Sequence, residues 1–340
     1  AQEKGDTISI DKPSAFSAGD VSDGSDSNDY NTDKITINLT NWKGVQANLS
    51  DKELTEVSDN FIQNHINPAA YAVANKIDQD LNALYYGVPW YRQTQGTDDP
   101  KADVIQTRKI MVENKVPNDP NKYFELGPER YASALDTNMF TDADKSADDG
   151  QTQVSGLITD RFGFNFFENQ NVTEHSPGAL TADGSPQLNG QHSEGATEIT
   201  LEDSNGTSLS GDVKKGDIVT IAGNTQRYAV AEDASASGNA ITIKLVQALV
   251  QDYADDSSVT LHQEDTKVEQ NMAFHSSAFA LVMRPLPRVP DSSVITDPVS
   301  GLSMRLAMWY DGNSAKHKWR LDALWGVKIL DGNRAVRYES

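Results

Sequence analysis

A long polar segment between two short strand patterns is the feature that most constrains how this chain can fold. Residues 7–10 and 34–39 alternate apolar and polar side chains, which is typical of strands that bury one face. Residues 19–33 between them are rich in Asp, Ser and Asn and show no hydrophobic period. Loops longer than about 12–15 residues are uncommon inside compact domains. The pattern predicts an arm with an acidic tip that projects from the body of the protein.

Helices are predicted after residue 50. Ser50 and Glu53 have the spacing of a capping box, which predicts a helix that begins there. Asn67 and Pro68 predict a longer helix, with Asn67 as N-cap and Pro68 in the first turn, which ends near Gly87. The apolar residues of this second helix recur with the helical period: Ala70, Val73, Ala74, Ile77, Leu81 and Leu84.

The middle of the chain passes from helical to strand patterns. Residues 102–116 and 127–135 predict two further helices, and the aromatic run 161–167 predicts a buried strand. From residue 178 to 265, turn residues recur every 8–12 positions or so, which favours a small β-barrel or sandwich inserted into a mixed α/β body. The strand candidates in it are residues 198–201, 217–221, 227–231, 240–246 and 258–262.

Larger apolar residues return near the C-terminus. They alternate with other residues over 302–310, which predicts a strand whose packed face carries Leu302, Met304, Leu306, Met308 and Tyr310. A turn at 311–313 and a second apolar stretch over 321–329 predict that this strand is followed by a partner.

The composition limits the kinds of partner. A chain of 340 residues that is 37% hydrophobic predicts a folded protein of two or three lobes. Its formal net charge of −21 repels phosphates, which argues against nucleic-acid binding as the main role and against docking on an anionic membrane. Solubility or adaptation to a salty medium explains the charge most simply.

The chain contains no cysteine, so disulfides, thiolate metal sites and cysteine catalysis are excluded. No apolar run approaches the ~20 residues of a membrane span. The residues at the start of the chain are polar, so we expect no signal peptide.

A search for catalytic and metal-binding motifs indicates neither an enzyme nor a cofactor. The sequence has no nucleophile elbow, no phosphate-binding loop and no pair of histidines at zinc spacing. Asp23, Asp26 and Asp29 do not fit the calcium-loop pattern, so a solvated loop tip is preferred to a calcium site. Asp78 and Asp80 lie two residues apart on the long predicted helix, so they point to different faces and do not form a catalytic pair.

Basic and aromatic residues are interleaved near the C-terminus, where three tryptophans lie close to four basic residues. This pattern has three explanations: contact with nucleic acid, strands with one packed face, or a subunit interface with Trp and Arg anchors. The packed face is the strongest of these. The residues are Trp309, Trp319, Trp325, Arg305, Lys316, Lys318 and Arg320.

Taken in order, several runs resemble the major coat proteins of short-tailed bacteriophages, which have the Hong Kong 97-type capsid fold with an insertion domain. The runs are residues 4–13, 66–70 leading into 74–78, 215–223, 271–281 with 284–286, 301–305 and 320–326. Each run is short, and their common order along nearly the whole chain carries the likeness.

The resemblance implies an α+β fold with an extended loop, a peripheral domain containing a long spine helix, an axial domain and an inserted small β-barrel. It divides the chain into an extended-loop hairpin with peripheral strands, the spine-helix region, the axial domain, the insertion domain and the return strands. These segments are residues 1–50, 51–99, 100–177, 178–266 and 267–340.

The resemblance also implies a structural role. The chain would form hexamers and pentamers of an icosahedral shell around double-stranded DNA, in the virion, after assembly in the host cytoplasm. Scaffolding, portal and decoration proteins are its implied partners, with weak non-specific contact to packaged DNA and no membrane, cofactor or metal. The expected contacts between subunits are Asp23, Asp26, Asp29, Tyr30, Asp78, Trp309, Arg320 and Trp325.

Two other functions stay open at this point. A secreted or cell-surface binding module, such as an adhesin or a carbohydrate-binding protein, suits the β-rich, acidic and Asn/Ser/Thr-rich segment. A hydrolase that acts through carboxylates ranks last, because no spacing in the sequence selects a pair of acids.

Overall fold

The computed structural model of the protein describes residues 7–11, 34–50, 62–93, 99–137, 151–158, 160–263, 267–298 and 301–339. The acidic tip predicted for the arm, with Asp23, Asp26, Asp29 and Tyr30, lies outside the described residues. The body of the helix predicted from the capping box, residues 51–61, also lies outside them. Neither prediction is therefore tested.

The described residues form an α+β structure, as predicted. The helices are α1 (Asn67–Asn82), α2 (Pro100–Glu113), α3 (Pro128–Asp136) and α4 (Gln151–Ser155), with a π-helical turn at Ile62–Ile66 and 3-10 turns at Ala83–Gly87 and Gly332–Arg334. The strands are β1 (Thr7–Asp11), β2 (Lys34–Asn38), β3 (Asn41–Ser50), β4 (Tyr91–Gln93), β5 (Lys122–Leu126), β6 (Asn165–Glu168), β7 (Glu174–His175), β8 (Thr181–Ala182), β9 (Pro186–Leu188), β10 (Glu198–Asp203), β11 (Leu209–Ser210), β12 (Asp212–Val213), β13 (Ile218–Ile221), β14 (Arg227–Ala229), β15 (Ala234–Ser235), β16 (Ile241–Lys244), β17 (Val259–His262), β18 (Val268–His275), β19 (Phe279–Met283), β20 (Ser292–Thr296), β21 (Ser303–Asp311), β22 (Lys316–Ile329) and β23 (Ala335–Glu339).

The chain divides into two compact units. Unit 1 comprises Ala1–Leu81 and Phe279–Leu330, and unit 2 comprises Asn82–Ala278 and Asp331–Ser340. Each unit is therefore built from segments that are far apart in the sequence. None of the described helices is long and apolar enough to span a membrane.

In unit 1, β1 and β2 form the antiparallel ladder predicted for the base of the arm. Thr7 pairs with Asn38 and Asp11 pairs with Lys34, with no slip between them. Ile37 is fully buried, whereas its neighbours Thr36 and Asn38 are both exposed, as the alternating pattern predicts.

A five-stranded antiparallel sheet forms the body of unit 1, and β22 is its central strand. Residues 316–325 of β22 pair with β3 on one edge, while β21 and then β19 pair along the other edge. β20 extends the sheet beyond β21. The predicted strand over 321–329 is confirmed, and the structure extends it back to Lys316.

Helix α1 packs on one face of this sheet. Val73 and Ile77 pack with Ala323 and Trp325 of β22. Ala69 packs with Trp319 and Leu321 of the same strand. The Trp325 side chain is fully buried, and its Nε1 donates a hydrogen bond of 3.1 Å to Asp80 Oδ2. A buried indole N–H needs such a partner, so Asp80 fixes the position of the ring under the helix.

The long helix was predicted correctly in position but not in every detail. It begins at Asn67, but the π-helical turn Ile62–Ile66 precedes it directly, so Asn67 does not cap a free helix end. Ala74, which the periodicity placed on the packed face, is exposed, and Ala69 is buried in its place. The packed face follows the sheet that it covers, whereas the periodicity takes account of the helix alone.

The predicted packed face of β21 is right for Met304 and Leu306 but wrong for Met308 and Tyr310. Ser303, Arg305 and Ala307 are buried, whereas Met308 and Tyr310 of the predicted face are exposed. Met304 and Leu306 are partly covered by α1, so both faces are covered in the first half of the strand. A buried arginine is compatible with this face only because a carboxylate neutralises it, as described below.

Unit 2 contains a sheet with the strand order β4, β23, β18, β5 and β6, in which β7 also pairs with β18. The two outer pairs, β4 with β23 and β5 with β6, are parallel. Helices α2 and α3 share a core with this sheet around Phe124, which contacts Phe164 edge-on at a ring-centre distance of 5.4 Å. Both helices were predicted, although α2 begins at Pro100 and ends at Glu113.

The aromatic run 161–167 is only partly a strand, which corrects its prediction. Phe162 and Gly163 have left-handed backbone angles, φ 50° and 80°, and they make a turn. Strand β6 begins after this turn at Asn165, and Phe167 is partly exposed. A run of aromatic residues suits a strand by propensity, but it carries no signal for a chain reversal at a single glycine.

Residues 178–263 form the β-rich region that the turn spacing predicted. The five strand candidates correspond to β10, β13, β14, β16 and β17. These strands belong to small antiparallel sheets with the orders β16-β10-β9 and β14-β13-β17. Their buried side chains make one core of their own, which includes Leu201, Ile221, Tyr228 and Ile243.

We expect the substitution Trp325→Ala to destabilise the protein by about 3–5 kcal/mol, because it opens a large cavity under α1 and leaves Asp80 without its indole partner. Denaturant unfolding of the monomeric chain measures this loss. The control is Ile295→Ala on the outer strand β20, where the side chain is 69% exposed. It should change stability by less than about 0.5 kcal/mol. Equal losses in the two variants would contradict the packing described for Trp325.

Candidate functional site

An exposed group of aromatic and basic side chains lies on the face of the unit 1 sheet opposite α1. Arg320 on β22 lies between Trp42 on β3 and Trp309 on β21. Its guanidinium carbon is 5.7 Å from the centre of the Trp42 ring and 5.9 Å from that of Trp309. These distances allow cation–π attraction to both rings. We call Trp42, Arg305, Trp309, Arg320 and Asp322 the tryptophan–arginine cluster.

The Asp322 carboxylate holds this cluster together. Arg305 donates to it from Nε and Nη2, at 3.0 and 2.7 Å, and the Trp42 indole donates at 3.1 Å. Arg320 Nε also lies 3.1 Å from Oδ2, as an ion pair without hydrogen-bond geometry. Arg305 and Asp322 are almost completely buried, so their bidentate pair is much less screened by solvent than a surface pair.

A glycine allows β3 to approach this pair. Gly44 is the register partner of Asp322. A Cβ atom at position 44 would collide with the Leu321 carbonyl oxygen and would lie 2.7 Å from Asp322 Cβ. Any side chain there would push β3 away from β22 and separate Trp42 from its carboxylate partner.

The cluster presents large side chains that are fixed and still accessible. Trp42 is 58% exposed and Trp309 is 38% exposed. Tryptophan and arginine are the residues most often found at the energetic centres of protein interfaces. Because these rings are already held by Arg320 and Asp322, a partner that covers them has little side-chain entropy to remove. The arrangement is suited to binding another macromolecular surface.

The tip of the β21–β22 hairpin is also ordered by charge. Asp311 Oδ2 accepts hydrogen bonds from Lys318 Nζ at 2.7 Å and Ser314 Oγ at 2.8 Å, and the backbone N–H of Asn313 donates to Oδ1. These hydrogen bonds lower the pKa of Asp311 to about 2, and the bond from Lys318 has the largest effect. The exposed ring of Tyr310 contacts that of His317 across the hairpin, with centres 4.9 Å apart.

The predicted contact residues lie in different environments. Trp309 and Arg320 are neighbours on one accessible face, and Asp78 is half-buried on α1. The prediction that Trp325 contacts another subunit is wrong, because its side chain is fully buried against α1. Asp23, Asp26, Asp29 and Tyr30 lie outside the described residues.

Sequence analysis missed Asp322, Gly44 and Trp42 as members of this cluster. Asp322 could have been found from the sequence, because a turn at 311–315 places Arg305 opposite Asp322 in the hairpin register. Two opposite charges at paired positions favour each other across strands. Trp42 and Gly44 gave no such signal, because β3 is far from β22 in the sequence.

Unit 2 contains a second polar group, which is buried. His175 Nε2 lies 2.8 Å from Asp217 Oδ1, and His175 Nδ1 lies 3.0 Å from the Tyr85 hydroxyl. Arg337, with 1% of its surface exposed, donates to the carbonyl oxygens of Gly216 and Tyr86 at 2.6 and 3.2 Å. Asp217 also accepts hydrogen bonds from the backbone N–H groups at 178 and 214.

The hydrogen bonds of this buried group tie strands and turns to one another. Burial raises the pKa of the Tyr85 hydroxyl, and the nearby Arg337 guanidinium only partly opposes the rise, so the phenol stays protonated. A protonated phenol is a weak nucleophile. Within the described part of the chain, no three His, Asp or Glu side chains are placed to hold a metal ion.

Comparison with solved structures gives matches over almost the whole chain. A chain from Mycobacterium phage Che8 superposes with a TM-score of 0.53 at 13% sequence identity, covering 98% of this chain and 85% of that one. A chain in the capsid structure of the cyanophage P-SCSP1u gives a TM-score of 0.50 at 10% identity, covering 98% and 83%. The expected likeness to phage capsid chains is confirmed at the level of the fold.

No protein-family model matches the chain, and no curated protein sequence matches it. The likeness is therefore one of structure at low sequence identity. The comparisons give no support to the alternative of a secreted or cell-surface binding module.

We expect Asp322→Ala to destabilise the protein by about 3–5 kcal/mol, because it leaves the buried Arg305 charge without its carboxylate partner. Chemical denaturation of the monomeric chain measures the change. Glu232→Ala is the control, since it breaks an ion pair with Lys244 in which both side chains are more than half exposed. It should leave the unfolding midpoint unchanged. A similarly small effect at Asp322 would show that the cluster does not depend on this carboxylate.

The depressed pKa of Asp311 predicts how the hairpin tip responds to acid. Asp311 is ionised in the folded protein down to about pH 2, below its ordinary pKa of 3.8. Its contribution to stability is therefore present above pH 3.8 and is lost as the pH falls through about 2. Carboxyl NMR titration should give a midpoint near 2, and Lys318→Ala should raise it. A midpoint of 3.8 in the unaltered protein would contradict the Lys318 contact.

Proposed function

We propose that this protein is the major capsid subunit of a tailed bacteriophage, which assembles with copies of itself into an icosahedral shell around double-stranded DNA. The observation that carries the proposal is the superposition of 98% of the chain on a chain of a cyanophage capsid. Both units of the protein take part in this superposition, because it extends over almost the whole length.

We further propose that the fold is of the Hong Kong 97 type. In this proposal, the β1–β2 hairpin is the base of the extended loop, and α1 is the spine helix of the peripheral domain. Residues 100–177 supply the axial domain, residues 178–266 are an inserted β-barrel, and residues 267–340 return to the other two domains. The separate core of residues 178–263 supports an inserted domain.

The contacts between subunits are proposed to lie on residues of unit 1. The tryptophan–arginine cluster, with Trp309 and Arg320 at its centre, is proposed as one contact surface. Asp78 and the acidic residues Asp23, Asp26 and Asp29, with Tyr30, remain proposed contacts on the helix and the arm. Such contacts join copies into hexamers and pentamers when the rotation between neighbours closes a ring.

The remaining partners follow from the same role. Scaffolding, portal and decoration proteins are proposed partners, and DNA makes only weak non-specific contact because the net charge of −21 repels it. An acidic inner surface of the shell would keep packaged DNA from sticking. The protein is proposed to act without enzymatic activity, to assemble in the host cytoplasm and to reside in the virion.

Particle formation tests this function. The purified chain, alone or expressed with a phage scaffolding protein, should yield closed shells in electron micrographs and large particles in light scattering. A chain that stays a monomer under all of these conditions would overturn the proposal.

Removal of the exposed rings should weaken assembly without unfolding the subunit. Trp309→Ala should raise the concentration needed for particle formation by about 30-fold or more, which corresponds to the loss of about 2 kcal/mol at a central contact. Light scattering across a dilution series measures this threshold. Ile295→Ala, which removes an exposed apolar side chain elsewhere on the sheet, is the control and should leave the threshold unchanged. Equal threshold concentrations in the two variants would contradict the proposal that the tryptophan–arginine cluster is a contact surface.

A further inference from the structure

Helix α2 has an exposed stripe that the packing of unit 2 does not explain. Ile105, Lys109 and Val112 follow one another at helical spacings of four and three residues, so they share one face. Ile105 is 41% exposed and Val112 is 59% exposed. Lys101 lies one turn earlier on the same face. The opposite face of α2 is the buried one, and it carries Val104, Thr107 and Met111.

Unit 2 also contains a groove whose apolar lining and acidic rim complement the apolar and basic residues of the α2 stripe. It is a cavity of about 720 Å³, lined by apolar side chains that include Leu157, Phe166 and Phe167, and flanked by two acids, Asp160 and Glu168. Leu157 is 65% exposed, so the apolar lining is accessible from outside the chain.

The stripe and the groove occupy different parts of unit 2. Helix α2 packs against β4 and β23, and its Arg108 also reaches the Phe162 carbonyl in the turn before β6. The groove is lined from β6, from α3 and from residues 157, 158 and 160. No residue belongs to both. One copy can therefore offer its stripe to one neighbour and its groove to another.

The charges of the two surfaces are opposite. Lys101 and Lys109 flank the apolar residues of the stripe, and Asp160 and Glu168 are exposed at the groove. Glu113 lies 3.6 Å from Lys109, but both side chains are at least 60% exposed and the pair is screened by water. Arg161, beside the groove, donates a hydrogen bond to the backbone carbonyl of Asp160.

We propose that the α2 stripe of one copy docks into the β6 groove of a second copy, and that this head-to-tail contact closes the rings of the shell. The inference rests on the proposed function and names the partner surfaces within it. Because the two surfaces differ, the contact is heterologous, and repeated contacts of this kind make a closed ring when the rotation allows it. Ile105 and Val112 would fill the groove while the lysines face Asp160 and Glu168.

Cross-linking tests the contact directly, since the chain has no cysteine of its own. One preparation carries Val112→Cys and another carries Leu157→Cys. Treated with a short bis-maleimide after assembly, the mixture should give covalent dimers, whereas neither preparation alone should do so. A chain with both substitutions should give a ladder that ends at the size of the closed ring. Val250→Cys, exposed in the β-rich region, replaces Val112→Cys in the control mixture and should give no dimer.

A charge reversal provides a second measurement. Lys109→Glu should reduce ring formation at least tenfold, and Glu168→Lys in the same chain should restore it, since the opposite charges then meet again between neighbours. Analytical ultracentrifugation measures the rings, and far-UV circular dichroism checks that the exposed substitutions leave the fold unchanged.

The outcomes separate this inference from the proposed function. If the unaltered chain assembles but Val112→Cys and Leu157→Cys give no more cross-linking than the control, this contact is wrong and the capsid role stands. If Leu157→Cys in dissociated subunits resists maleimide, residues of the same chain cover the groove and the docking is overturned. If the unaltered chain never assembles, the proposed function fails and the docking fails with it.

Discussion

One carboxylate determines the arrangement of three strands in unit 1. Asp322 on β22 accepts two hydrogen bonds from the Arg305 guanidinium on β21 and one from the Trp42 indole N–H on β3. The register of the hairpin, the close approach of β3 at Gly44 and the positions of the exposed tryptophans all depend on it. The opposite face of β22 carries Trp325 and supports α1. The strand therefore joins an apolar core on one side to a charged and accessible surface on the other.

This division shows how a sheet can be both a core element and a binding surface. A buried ion pair adds little net stability compared with apolar packing, but it specifies geometry. Arg305 and Asp322 can pair only in one register, and that register holds Arg320 between two rings. The rings are thus rigid before any partner arrives, and a surface of this kind binds with a small entropic cost.

The sequence predicted those parts of the fold whose signals are local. The period of α1, the β1–β2 ladder and the short strands of residues 178–263 follow from patterns within a few residues, and the structure confirms them. The turn at Phe162–Gly163 was missed, because the left-handed backbone angles of these two residues leave no hydrophobic pattern. Trp325 was placed at an interface for its residue type, whereas its burial depends on a helix far away in the sequence. The groove and the stripe were missed for the same reason: each becomes a surface only after distant segments have packed.

The order of the strands along the chain determines when each sheet can be completed. Strand β22, the centre of the unit 1 sheet, follows β3, β19 and β21 in the sequence, and strand β23 follows its unit 2 neighbours β4 and β18. Domains usually fold as whole units once their chain has emerged from the ribosome. Here neither sheet is complete until residues 316–339 have been made. A chain that stops before residue 316 lacks β22 and β23, so the tryptophan–arginine cluster cannot form in it.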